Sequence, residues 1–164
     1  MRITVEETSW KDGTATRLRA EQEREVVLRY GADLEAGAKP SASDVAVFLL
    51  ATDMDSGDVV GCGGLRRLDP YTYEIKRMYV VPHWRGRRIG RVLLRQLEEA
   101  ARERGATRVR LETGTEQPES RTLYERCGYR RIERFGPYVD CEASICYERL
   151  LPGGEEAETT GPAL

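Results

Sequence analysis

The chain has 164 residues, 40% of them apolar and 33% charged, a size and balance that fit one globular domain with its own core. Its formal net charge of −2 excludes the polycationic character that would draw it to nucleic acid or an anionic membrane. No apolar run approaches the ~20 residues of a membrane-spanning helix, and the opening MRITVEETSWKDG lacks the layout of a secretory signal, which points to a cytoplasmic protein.

In chain order, residues 2–6 alternate and predict a first strand, and residues 14–30 predict a helix stopped by Gly31, with Leu18, Val26, Val27 and Tyr30 on its apolar side. Residues 31–44, rich in small and turn-forming residues, predict a loop. Residues 45–52, 59–68 and 73–81 predict three strands whose short connections make them antiparallel neighbours. The glycines of the middle strand point to a close approach or a bulge. Residues 89–104 predict a helix with Ile89, Leu93, Leu97, Ala100 and Ala101 on one face and a Glu98–Arg102 pair outside, ended by Gly105. Residues 108–113 predict the next strand, parallel to 73–81 because strand, helix and strand form a crossover unit. A shorter helix starts near Pro118 and ends at Gly128, and two strands follow at 129–134 and 144–150. Residues 1–151 form one domain, and the acidic, Gly-rich 152–164 read as a disordered tail.

Cys62, Cys127, Cys141 and Cys146 form no Cys-x-x-Cys pair, and the lone His83 lies far from them in sequence. They read as reduced thiols in a reducing compartment, with no metal site.

The most informative stretch runs from Tyr79 to Arg91. A buried strand ends at Pro82, and a glycine-containing loop opens into the long helix. Such a loop presents unpaired backbone N–H groups at the positive end of the helix dipole. Gly86 and Gly90 allow close approach of a ligand, while Arg85, Arg87, Arg88 and Arg91 add charge, so a diphosphate is the natural guest. A solvated basic turn and a nucleic-acid grip are the competing readings; the balanced net charge disfavours the second.

This stretch resembles the acetyl-CoA-binding motif of the GNAT superfamily of N-acetyltransferases, Arg/Gln-x-x-Gly-x-Gly/Ala, matched by Arg85, Gly86, Arg87, Arg88, Ile89 and Gly90. Arg88 stands where the family usually has glycine. Further on, Gln117 to Tyr129 resembles the family's Asn-x-x-Ala-x-x-Leu-Tyr-x-x-x-Gly-Phe, with Gln117 for Asn, Ser120 for Ala and Tyr129 for Phe. The resemblance implies an α/β (α+β) fold: a mixed, mostly antiparallel twisted sheet of six to seven strands, flanked by helices, with one parallel crossover pair. It also implies acetyl-CoA as cosubstrate without metal, direct acetyl transfer to an amine in a ternary complex, and a fold compatible with a homodimer.

The resemblance places the pantetheine arm beside Met78, Tyr79 and Val80, as strand-addition physics allows, with a backbone N–H near Val80 polarising the thioester carbonyl. An alkyl amine with a pKa near ~10 must lose a proton before attack. Glu112 and Glu74 occupy positions that family members use for the base, and Tyr124 matches the acid that protonates the leaving thiolate. Cys127 has no histidine near it in sequence to activate it as a nucleophile. The acceptor site is implied to be lined by residues 31–44, the strand around Arg66, and Phe135 to Tyr138. Arg66, Arg77 and Tyr138 are candidates to recognise a carboxylate, which suggests an amino acid or small metabolite as acceptor. A protein N-terminus or lysine, a non-catalytic acyl-CoA-binding module, and nucleic-acid binding through Arg85–Arg91 remain as alternatives.

Overall fold

The computed structural model describes residues 1–153. The tail expected from residue 152 onward therefore lies almost wholly outside the described residues. Strands β1 (Ile3–Glu7), β2 (Val45–Asp53), β3 (Val59–Asp69), β4 (Thr72–Val80), β5 (Arg108–Gly114), β6 (Arg130–Ile132) and β7 (Ser144–Leu150) form one sheet in the order β1-β2-β3-β4-β5-β7-β6. Among the described residues three α-helices accompany them: α1 (Gly13–Tyr30), α2 (Ile89–Glu103) and α3 (Pro118–Arg126). All neighbours are antiparallel except β4 and β5, the pair joined through α2. The mixed sheet and its single parallel crossover are as the resemblance implies.

Helix α2 forms because Ile89, Leu93, Leu94, Leu97 and Ala101 recur at helical spacing and bury one face. They pack over Val47, Ala51, Leu65, Ile75, Val109 and Leu111. The glycines of β3 let this helix lie close. A Cβ at Gly61 would stand 2.9 Å from Leu93, and one at Gly63 2.9 Å from Leu97. Truncating any of these leucines should cost roughly 2–5 kcal/mol. A second cluster joins Ala15 and Leu18 of α1 to Phe48, Cys62 and Tyr79. Asp12 caps α1 by accepting from the Ala15 N–H, and Gly31 closes it at φ 74°, where a side chain would be strained.

Two expectations change. Glu98 is not on the outer face of α2: it is only 4% exposed and pairs with Arg95 at 2.9 Å and with Arg149 of β7. It stands one turn after the buried Leu94 and three residues before the buried Ala101, so it shares their buried side, where a strand arginine compensates its charge. Arg102 pairs instead with Glu99. The strand predicted at 129–134 shortens to three residues, because the chain turns away after Ile132.

Candidate active site

The parallel pairing of β4 and β5 covers only Thr72–Ile75 against Arg108–Leu111. Beyond it the strands part, and Lys76–Val80 has no partner strand on that side. A bulge accompanies the parting: Cys62 pairs with Tyr79 and Gly64 with Lys76, so Arg77 and Met78 together face Gly63. Arg77 takes φ 58°, and Arg88 takes φ 64°; they are the only non-glycine residues with positive φ among the described residues. Such conformations cost about 1–2 kcal/mol each, and both stand at this site.

The main chain of β4 is oriented by its neighbours. Val81 N–H donates to the Val60 carbonyl of β3, whereas the Val80 carbonyl accepts from Arg85 Nε at 2.9 Å. The Val80 peptide groups therefore point away from β3, toward the gap. This gap opens on a cleft of about 570 Å³ lined by Met78, Tyr79, Val80, Arg85, Gly86, Arg88, Ile89, Gly90, Arg91 and Gln117. Arg88 sits at the N-cap of α2 but offers no side-chain cap, and the first turn holds no acidic residue. The amides at the start of α2 are thus left for a ligand, at the positive end of the dipole. Gly86 has φ 78° with open space where a Cβ would be, whereas a Cβ on Gly90 would stand 3.1 Å from Leu123 of α3. Gly90 therefore serves the packing of α2 against α3. Arg87 is not among the lining residues; its guanidinium lies 4.8 Å from the Trp84 ring. An anionic, elongated ligand fits this cleft.

An ionic chain that the sequence did not suggest straddles the cleft. Arg85 holds Glu25 of α1 at 2.8 Å, and Arg29 of α1 holds Glu119 of α3 at 2.9 Å and Glu25 at 3.7 Å. All four residues line the cleft.

A second cavity, of about 600 Å³, adjoins the first, and the two share Gln22, Val26, Met78, Gln117, Ser120 and Tyr124. Tyr124 is 7% exposed, and burial, followed by the charge of Glu112 and by Cys127, pushes its phenol well above the ordinary range. It keeps its proton at every physiological pH. Glu112 lines only the second cavity. Burial raises its pKa, Lys76 and the Ser144 hydroxyl oppose the rise, and the like charges of Glu74 and Glu35 add to it. Gln117 Oε1 accepts from the Gly114 N–H at 3.1 Å, which fixes the turn between β5 and α3.

Glu74 lines neither space. It is 2% exposed and accepts a 2.6 Å hydrogen bond from Tyr138, whose hydroxyl in turn accepts from Lys76 Nζ at 2.9 Å. Arg66 pairs with Asp44 at 2.9 Å and donates to the Ala38 carbonyl. Arg77 is bidentate on Glu35, at 3.1 and 2.7 Å, and reaches Glu23 at 3.2 Å. The groups expected to recognise an acceptor carboxylate are thus engaged with carboxylates of the chain itself. Burial pushes Glu35 upward, but Arg77 and Lys76 outweigh it and hold this carboxyl below its usual range. Residues 31–44 do line the cavity, through Asp33, Leu34, Glu35 and Lys39, whereas Phe135 to Tyr138 do not. Lys76 and Glu35 carry no motif, and only their pairing across the bulge marks them.

The four cysteines are free thiols, and among the described residues no three His, Cys, Asp or Glu side chains gather as a metal would require. No helix among these residues is long and apolar enough to cross a membrane.

Comparison with known proteins agrees with this geometry. An IAA acetyltransferase of Azospirillum brasilense is 40% identical over 120 residues, covering 73% of this chain and 74% of the relative. The N-alpha-acetyltransferase RimI of Mycobacterium tuberculosis is 39% identical over 102 residues, 60% of this chain and 63% of RimI. A crystal structure from Klebsiella pneumoniae, assigned as an acyl-CoA N-acyltransferase, superposes with a TM-score of 0.76 at 30% identity, covering 91% and 97% of the two chains. A GNAT acetyltransferase of Elizabethkingia anophelis with acetyl-CoA bound shares the fold, at a TM-score of 0.67 and 19% identity over 91% and 98%. With the acetyltransferase (GNAT) family matching residues 6–129, the chain belongs to that family and is an acyl-CoA-dependent N-acetyltransferase.

Proposed function

We propose that this enzyme moves an acetyl group from acetyl-CoA to a primary amine by direct attack, with both substrates bound. The observation that carries the proposal is the position of Tyr124, which lines the basic cleft and the second cavity alike. A group at that junction reaches the sulfur of a thioester from one side and leaves the other open to an amine. The E. anophelis structure, with acetyl-CoA bound to the same fold, supports assigning the cleft to the cosubstrate.

Acetyl-CoA supplies the activated acyl group; the chain supplies position and protons. The open edge of β4 at Met78 and Val80 offers main-chain hydrogen bonds to an extended arm. The first-turn amides of α2, with Arg88 and Arg91, hold the diphosphate. The Val80 N–H, turned to the gap, polarises the thioester carbonyl. Glu112 takes the proton of the ammonium, directly or through water, and the burial that raises its pKa makes it a stronger base than an exposed carboxylate. Tyr124 donates its proton to the departing thiolate. Of the two candidate carboxylates, Glu112 is the better base because it lines the acceptor cavity, whereas Glu74 is enclosed and bonded by Tyr138.

Thermal unfolding with acetyl-CoA, free CoA and adenosine diphosphate tests the cleft. At ~100 times its dissociation constant a ligand stabilises the native state by ~2.7 kcal/mol. A rise of the midpoint with both CoA forms, and thiol release that depends on an added amine, are the expected results. No rise at millimolar acetyl-CoA would refute the assignment of the cleft.

A further inference from the structure

The charges of the acceptor cavity are unevenly committed. Lys76 Nζ lies 2.9 Å from the Tyr138 hydroxyl and 3.4 Å from Glu35, Arg77 is bidentate on Glu35, and Lys39 lies 2.7 Å from Asp33. Arg24, the remaining lining cation, is exposed, with its charge in solvent. Glu23, Asp33, Glu35 and Glu112 line the same space. An acceptor carboxylate placed inside would lose water, find every lining cation but the exposed Arg24 already paired, and stand among four carboxylates.

One side of the wall is apolar. Val26, Val27, Leu28 and Tyr30 of α1 and Leu34 of the following loop line the cavity. Val27, Leu28 and Leu34 are exposed by 39%, 84% and 47%. Apolar side chains left in water around a polar cavity mark a surface that a ligand covers.

We infer that the acceptor is a primary amine carried on an apolar body and lacking a free carboxylate. Its ammonium group is drawn to Glu112, and its body lies against Val27 and Leu34. The inference rests on the proposed amine acetylation and narrows it, replacing the amino acid expected from the sequence. Two sources offer this chemistry: a free aryl- or alkylamine, and the amino terminus of a polypeptide with an apolar first residue.

The test measures CoA-thiol release with phenethylamine, ethanolamine, phenylalanine, phenylalaninamide and a short peptide beginning with phenylalanine. The expected kcat/KM for phenylalaninamide exceeds that for phenylalanine by at least ~100-fold, since like-charge juxtaposition costs several kcal/mol. Phenethylamine should exceed ethanolamine by ~10- to 100-fold, from burial of the ring. A Val27→Ser/Leu34→Ser variant should cut the second ratio by ~10-fold, while acetyl-CoA still raises its unfolding midpoint, because neither residue lines the cofactor cleft. Whichever of phenethylamine and the peptide is faster identifies the source.

Phenylalanine matching its amide, or ethanolamine matching phenethylamine, overturns the inference and leaves amine acetylation standing. Failure of every amine overturns the inference. If acetyl-CoA also fails to raise the midpoint, the proposed function falls with it.

Discussion

Replacing Glu112 by Gln keeps the size and hydrogen-bonding reach of the side chain while removing its charge and proton affinity. General-base catalysis contributes roughly 100- to 10,000-fold, so kcat with a saturating amine should fall by that factor at pH 7. The pH profile carries more information than the size of the loss. Burial and the charges of Glu74 and Glu35 raise the Glu112 pKa against Lys76. The acidic limb of the wild-type profile should therefore lie above the ordinary carboxylate range. It should vanish in Glu112→Gln, whose rate follows deprotonation of the free amine. Lys76→Met, which removes the opposing cation, should shift the limb to higher pH. Stability supplies an independent sign. The folded pKa of Glu112 lies above its unfolded value, so its contribution to stability is present at low pH and is lost as pH rises through the folded pKa. Glu112→Gln should then unfold at a higher temperature than wild type at pH 7, with the gain disappearing near pH 4. Rate profiles at saturating acetyl-CoA and scanning calorimetry at the two pH values provide the readouts. A variant within threefold of wild type across the pH range, or one less stable at pH 7, would refute the assignment.

Tyr124→Phe should lower kcat at least tenfold and leave the acetyl-CoA-induced rise in midpoint in place; fluorescence titration with CoA checks the second half. Tyr138→Phe removes the hydroxyl between Glu74 and Lys76 and leaves a buried carboxylate short of a donor, at a cost of ~1–3 kcal/mol. For a chain of this length that lowers the calorimetric midpoint by roughly 2–12 °C. Glu25→Gln removes a carboxylate that engages Arg85 in the cleft. CoA should bind more tightly to this variant at low ionic strength, and isothermal titration at two salt concentrations should show the advantage shrinking as salt screens it. Gly114→Ala would place a Cβ 1.6 Å from the Tyr30 hydroxyl, which accepts from the Glu116 N–H. It should displace Tyr30, lower the midpoint and speed exchange of the Glu116 amide.

Features written as periodicity or as chain punctuation were legible in the sequence. The apolar spacing of α2, the stop at Pro82 and the glycines of the loop located the cleft to within a residue or two. The parallel pairing of β4 and β5 follows from crossover topology alone. Features that depend on where a side chain points were not. Glu74 and Glu112 look alike as residues on neighbouring strands, and only the structure turns one toward Tyr138 and the other toward a cavity. The glycines of β3 pointed to a close approach or a bulge, but that the extra residue lies on β4 was hidden, because an arginine, not a glycine, occupies the positive-φ position at residue 77. Arg66 and Arg77 looked available because their carboxylate partners, Asp44, Glu35 and Glu23, lie in a loop and a helix with no sequence relation to the strands they meet. Glu98 was misplaced because its compensating charge, Arg149, arrives 51 residues later.

The loop carrying Asp33, Leu34, Glu35 and Lys39 borders the cavity proposed for the acceptor and not the cleft proposed for the cosubstrate. It is anchored to the catalytic sheet through Glu35 on the Arg77 bulge. Mutational drift within it can therefore rewrite which molecules are modified without disturbing the shared donor machinery. Chain length is free to vary there as well, because no strand pairing runs through it. Between the Tyr30 and Val45 ends of this loop lies the stretch where a descendant enzyme would most readily acquire a new client, provided the ion pairs of Glu35 with Arg77 and of Asp44 with Arg66 are kept.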